Sequence, residues 1–178
     1  MKIIKTKFDG LKIIQGLRFL DNRGYFREIY KKNIFKNSNM VFWCMSKSKK
    51  NVIRGMHLQT NKTQEKFITV VKGKILDVVV DLRYKSKTFG KSFQIVLSEK
   101  NCKSIFIPSG FAHGFCALEK ENIIFYGNSN YRSKKSETSI LWNDRSLKIK
   151  WPKKKFVLSK KDSLSVPLNI FVKRKIKL

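Results

Sequence analysis

An antiparallel β-sandwich or barrel of the jelly-roll type, with few and short helices, is what this 178-residue sequence predicts. Three observations carry that expectation. Short β-branched or aromatic segments recur through the middle of the chain, turn residues separate them, and no long stretch holds an apolar period of roughly 3.6 residues. In chain order the segments are Val52–Gln59, where apolar and polar residues alternate, then Phe67–Val71, Ile75–Leu82, Phe93–Leu97, Ser104–Pro108 and Asn122–Tyr126. Lys72-Gly73-Lys74, Phe89-Gly90-Lys91 and Pro108-Ser109-Gly110 punctuate them, because glycine and proline supply the backbone angles that tight turns need. Regularly spaced strands with so little helix suit a closed or two-layered antiparallel sheet.

Composition agrees with one folded unit over residues 1–178. A hydrophobic share of 42%, with 14 phenylalanines, is enough to fill a core, which excludes a disordered chain. Three isolated cysteines, Cys44, Cys102 and Cys116, exclude a disulfide-stapled mini-fold and fit reduced thiols in a cytoplasm. No apolar run approaches the roughly 20 residues of a membrane span, and the first residues lack the apolar core of a signal peptide. From about residue 170 the chain turns basic, so a frayed tail is expected there.

Forty basic against twelve acidic residues give a formal charge of +28. Such a balance raises nucleic-acid binding as a possibility. The lysines are dispersed, however, and no zinc-finger spacing, RNP-type aromatic motif or basic helix organises them. Nucleic acid is therefore not the expected partner, although the positive field favours an anionic ligand.

Histidine is the scarce chemical resource, with only His57 and His113. Strict alternation places Gly55, His57 and Gln59 on one strand face and Arg54, Met56 and Leu58 on the other. His113 sits between small residues in Ile107-Pro-Ser-Gly-Phe-Ala-His-Gly114, which permits close approach by another group and equally suits a tight turn. Taken alone, each histidine fits a hydrogen-bonded structural role as well as a chemical one. A metal site needs three or four convergent ligands, and Gln59 stands where a second histidine would have to be, so no metal is expected.

Six segments in this order and spacing carry a family resemblance: Asp21-Asn-Arg-Gly-Tyr-Phe-Arg-Glu28, Asn51–Gln59, Asp77–Arg83, Thr88–Lys91, Ile107–Gly114 and Ile140-Leu-Trp-Asn-Asp144. Together they resemble the dTDP-4-dehydrorhamnose 3,5-epimerase family over about residues 5–168. The resemblance implies a metal-free cupin-type jelly roll, a homodimer, no cofactor and a nucleotide-diphosphate 4-keto-6-deoxy-hexose as substrate. It also implies residue roles. His57 matches the base and Asp162 its carboxylate partner, Lys66 the lysine that stabilises the enolate, and Tyr126 the opposite-face proton donor. His113 matches a second site histidine held by Asp77. Arg23 and Arg54 match arginines near phosphate or sugar, Phe26 and Glu28 match nucleotide contacts from the neighbouring subunit, and Gln59 and Tyr131 fall within the substrate-binding pattern.

The sequence departs from that pattern at Phe42 and Cys44, where the family usually has polar residues that touch the base, and at Gly127 after the tyrosine. Neither Phe42 nor Cys44 carries an amide. The resemblance thus implies the sugar class more firmly than the nucleotide. An epimerase of one centre or of another nucleotide's 4-keto sugar, and a basic binding protein on the same fold, are the competing expectations.

Overall fold

The structure, a computed structural model, describes residues 1–35 and 38–174. Its strands are β1 (Lys2–Lys5), β2 (Lys12–Gln15), β3 (Phe19–Asp21), β4 (Gly24–Phe26), β5 (Phe42–Lys49), β6 (Ile53–Gln59), β7 (Lys66–Lys72), β8 (Lys74–Asp81), β9 (Ser92–Ser98), β10 (Lys103–Ile107), β11 (Phe111–Ala117), β12 (Glu121–Asn128) and β13 (Glu137–Ser139). Two short helices follow, α1 (Lys160–Ser163) and α2 (Leu168–Lys173). The strands form two antiparallel sheets, ordered β1-β2-β10-β7-β12-β5 and β13-β6-β11-β8-β9, while β3 and β4 make a separate hairpin. This is the expected jelly-roll sandwich, and its helices are few and short.

Side-chain alternation assigns the faces. Along β8, Ile75 and Val79 enter the cluster between the sheets with Ile68, Val70, Phe115 and Ile124, whereas Val78 and Val80 join a second cluster behind the five-stranded sheet. A third cluster, built on Phe67 and Phe106, lies behind the six-stranded sheet and is covered by Ile29, Tyr30, Ile34, Phe35 and Met40. Both sheets are therefore buried on two faces, which explains why their strands read as near-continuous apolar runs rather than clean alternation.

Three features go beyond the sequence expectation. The lysine-rich segment Ser46–Lys50, which carries no strand signal of its own, lies largely in β5, the edge of its sheet. Its lysines point to solvent while Ser48 is buried, so the charge also blunts an open edge. Gly127 is small for a packing reason: it pairs with Trp43, and an added Cβ would lie 2.8 Å from the indole ring. Finally, a helix stands where the basic tail expected to fray begins. Residues Leu168–Lys173 form α2, whose Phe171 is buried among Leu82, Ala112 and Leu147. Residues 175–178 lie outside the described residues. One buried ring, not the local composition, decides the order of this segment.

Truncating that ring tests the docking. Phe171→Ala is expected to cost roughly 3–5 kcal/mol in denaturant unfolding. A loss below about 0.5 kcal/mol, the level of an ordinary surface change, would contradict the docked tail.

Candidate active site

The site begins at an irregularity between β6 and β11. His57 pairs with His113, and Arg54 pairs with Phe115, so Gly55 and Met56 together face Gly114 alone. This bulge shifts the pleat by one residue. The strict alternation expected from the sequence therefore fails here. Met56 and Leu58 enter the outer cluster, while Arg54 lines the same cavity as His57. The bulge also requires glycine at two places. A Cβ on Gly55, at φ +136, would sit 2.5 Å from Gly114 Cα, and one on Gly114 would lie 2.8 Å from Arg54 O.

The cavity has a volume of about 630 Å³. His57, Asp162, Lys66, Tyr126, His113 and Arg54 all line it. Each histidine is backed by a carboxylate. His57 Nε2 is 2.5 Å from Asp162 Oδ1, and His113 Nε2 is 2.8 Å from Asp77 Oδ2. Asp162 comes from α1, whose N-cap Ser159 accepts a hydrogen bond from the Asp162 backbone amide. Burial alone would raise the Asp162 carboxyl, but the hydrogen bond and charge of His57, with Ser159 and the Gly55 amide, hold it below the usual range. A carboxylate on Nε2 leaves Nδ1 of each ring to act on whatever occupies the cavity.

Lys66 opens β7 and Tyr126 lies on the adjacent β12. Burial pulls the Lys66 ammonium from its ordinary 10.5 down to about 8, against the opposing pull of Glu137, Cys44 and Asp77. Burial pushes the Tyr126 phenol far up, so it stays protonated through the neutral range. Its Oη is 2.7 Å from Ser46 Oγ. A neutral phenol, a cation near its titration point and two carboxylate-backed imidazoles are the parts of proton transfer next to a developing negative charge.

The rim holds residues that the sequence did not single out. Glu137 joins Arg132, at 2.5 Å, to Lys161, at 2.7 Å, and these bonds hold its carboxyl down to about 2. A lone glutamate in a polar stretch carries no signal for this. Phe42 and Cys44, the two departures at base-contacting positions in the sequence, also line the cavity, beside Asn128.

A family model described as dTDP-4-dehydrorhamnose 3,5-epimerase matches residues 5–169. The chain is 40% identical over 168 residues to the dTDP-4-dehydrorhamnose 3,5-epimerase of Shigella flexneri, covering 91% of this chain and 93% of that one. This chain belongs to the dTDP-4-dehydrorhamnose 3,5-epimerase family. Two solved structures agree. The dTDP-6-deoxy-D-glucose-3,5-epimerase of Legionella pneumophila, in complex with dTDP-4-keto-L-rhamnose, superposes with a TM-score of 0.94 at 36% identity, covering 99% of this chain and 97% of that one. The dTDP-4-dehydrorhamnose 3,5-epimerase of Bacillus anthracis, with TDP and PPi bound, gives 0.89 at 39% identity, covering 94% and 99%.

Not every residue implied by the family resemblance reaches the cavity within one chain. Gln59 is buried and braces the loop after β12, donating to Lys62 O and accepting from the Ser133 amide. Tyr131 is largely exposed, with its ring 6.0 Å from that of Phe42. Arg23 pairs with Asp21 on the β3–β4 hairpin, Phe26 is exposed at its end, and Glu28 pairs with Lys31. Asp77 does not line the cavity and is hydrogen-bonded to His113, which does.

The desolvated Lys66 makes a prediction about stability. A lysine whose folded pKa is depressed opposes folding fully below about 8, and the penalty disappears as pH rises to 10.5. Lys66→Met is therefore expected to be more stable than the parent by on the order of 1–2 kcal/mol at pH 7 and no more stable near pH 10.5. Denaturant melts at the two pH values check this. A variant that is less stable at both would overturn it.

Proposed function

We propose that this protein inverts C3 and C5 of a dTDP-linked 4-keto-6-deoxy-hexose by proton abstraction on one face and reprotonation on the other. The observation that carries the proposal is the convergence on one cavity of the Asp162-backed His57, Lys66 and Tyr126. The C4 ketone acidifies the protons on C3 and C5. His57 Nδ1 removes one, and the electron pair moves into the carbonyl to form an enolate. The Lys66 ammonium stabilises the charge on O4, while Asp162 stabilises the imidazolium. Tyr126 Oη then gives its proton to the carbon from the opposite face, His57 and Tyr126 exchange protons with water, and the cycle repeats at the second centre. Arg54, with the rim cations, suits the diphosphate, because guanidinium forks bind phosphate oxygens directionally. His113, backed by Asp77, serves the sugar.

We infer that the whole chain acts as one epimerase domain and works as a homodimer. Leu17, Phe19, Leu20 and Phe26 project from the β3–β4 hairpin with more than half of each surface exposed, more apolar area than a short hairpin keeps in water without a partner. Arg23, Phe26 and Glu28 would then serve the neighbouring subunit's cavity. A doubly charged nucleotide sugar does not cross membranes unaided, which suits a cytoplasmic enzyme. No helix among the described residues is long and apolar enough to cross a membrane.

The deciding experiment incubates the protein in deuterated water with 4-keto-6-deoxy-hexoses linked to dTDP and to other nucleoside diphosphates. Label should enter C3 and C5 with inversion at both, and absence of exchange with every nucleotide would remove the proposal. His57→Asn should lower exchange at both carbons by roughly 10²–10⁴-fold with the fold intact. Wild-type exchange in that variant would exclude His57 as the base.

Activity should also report Lys66. Its cationic form predominates below about 8, so kcat/KM is expected to fall above that pH as the charge that holds the enolate is lost. A profile flat to pH 10 would remove Lys66 from the role. For binding, Arg23→Ala and Arg54→Ala should raise KM well above the effect of the distant Lys153→Ala. Equal effects from all three would mean that general charge, rather than a site, holds the diphosphate.

A further inference from the structure

Tyr126 is placed to give a proton away, yet the cavity is a poor home for the anion this leaves. Burial is the largest influence on the phenol and opposes its ionisation, and the nearby Asp77 carboxylate adds to the opposition. Among the described residues the hydrogen-bond partner of Tyr126 Oη is Ser46 Oγ, at 2.7 Å. Ser46 does not line the cavity. It stands on β5 opposite Ile124, with Cys44 opposite Tyr126, so Ser46 and Tyr126 share one sheet face as diagonal neighbours. That diagonal suits a long phenol meeting a short hydroxyl behind it.

A hydroxyl has a property that a carbonyl, an amide N–H or a carboxylate lacks: it both donates and accepts. In the resting cavity it can accept from the neutral phenol. When the enolate forms it can rotate and donate to Tyr126 Oη, which frees the single phenolic hydrogen to face the carbon, and it goes on donating to the phenolate. We infer that Ser46 is a positioning residue for the reaction, which by switching from acceptor to donor turns the Tyr126 proton toward the enolate and then stabilises the phenolate. The inference rests on Tyr126 being the opposite-face acid. In the step itself the Tyr126 O–H bond breaks, its proton forms the new C–H bond with the enolate's electron pair, and the phenolate keeps the O–H pair. Water later returns a proton to the phenolate, while Ser46 keeps its own.

The test uses Ser46→Ala, Ser46→Thr, Tyr126→Phe and the Ser46→Ala/Tyr126→Phe double variant of the full chain. In deuterated water with the dTDP-linked 4-keto-6-deoxy-hexose, label incorporated with retained configuration reports the base side, and inverted product reports the acid side. Hydrogen bonds to charged groups are strong enough that Ser46→Ala should slow inversion about 10–100-fold. Retained-configuration exchange and KM should change less than about threefold. Ser46→Thr keeps the hydroxyl and should restore inversion, and the double variant should match Tyr126→Phe alone. Loss of exchange and inversion in equal measure, failure of Ser46→Thr to restore inversion, or a further loss in the double variant would overturn the inference. If Tyr126→Phe blocks inversion while Ser46→Ala inverts normally, the role of Ser46 alone falls. If Tyr126→Phe itself inverts normally, the acid assignment falls and the inference falls with it.

Discussion

Gly55 and Gly114 meet where two strands of the five-stranded sheet come closer than side chains allow, and the geometry of the site follows from that contact. With a Cβ on either residue the backbones would collide at 2.5–3.0 Å. Their approach lets two residues of β6 stand against one of β11, and the shifted pleat turns Arg54 to the side of His57. The same register sets His57 directly beside His113. Without the bulge, Arg54 would share the buried outer face with Met56 and Leu58, where an unpaired guanidinium could not be accommodated. A cation suited to phosphate and two imidazoles thus reach one cavity through the absence of two methyl-sized groups.

Each imidazole then needs a carboxylate behind it, and the chain supplies them from different places. Asp77 comes from the core strand β8 and is wholly buried, with Oδ1 lacking a hydrogen-bond partner among the described residues. A buried acceptor left unfilled opposes folding, so its retention is explained by what Oδ2 does for His113 rather than by stability. Asp162 comes from a four-residue helix with little intrinsic persistence. That helix is held by contacts elsewhere: Lys161 to Glu137 on one side, and the docked Phe171 a few residues on. The C-terminal segment therefore belongs to the site as much as to the core.

The strands of the sandwich were legible because β-branched runs and glycine turns are local signals, and the middle strands lie where those signals put them. β5 was not, because a lysine-rich segment looks like a solvated loop until its place at a sheet edge is known. The docking of Phe171 was not legible for a related reason, since its burial depends on Leu147, Ala112 and Leu82, which lie far back along the chain. At the site, the motif frame named His57, Asp162, Lys66, Tyr126, His113 and Arg54, which the structure brings to one cavity, and Asp77, which it places against His113. It did not reveal that Gln59 is tied up bracing a loop, or that Glu137 links Arg132 to Lys161. Nor does alternation place Arg54 beside His57, because a bulge is a property of two paired strands and alternation describes one.

The +28 charge acquires its meaning against this background. Surface lysines in physiological salt act over about 8 Å, and pairs such as Lys72–Glu121 and Lys74–Glu119 are exposed to that screening. Such a field draws an anion toward the protein without distinguishing a diphosphate from a nucleic-acid backbone. The cavity differs because one of its charges, on Lys66, is desolvated before any ligand arrives. Lys66 keeps its ammonium in surroundings that pull it toward neutrality, and an enolate oxygen or phosphate that enters relieves the strain. A cation that destabilises the empty protein interacts most strongly with the charge that develops beside it. In the proposed reaction it is this half-buried lysine, among the thirty-odd on the chain, that meets the developing charge, and the surface set governs only how often an anion arrives.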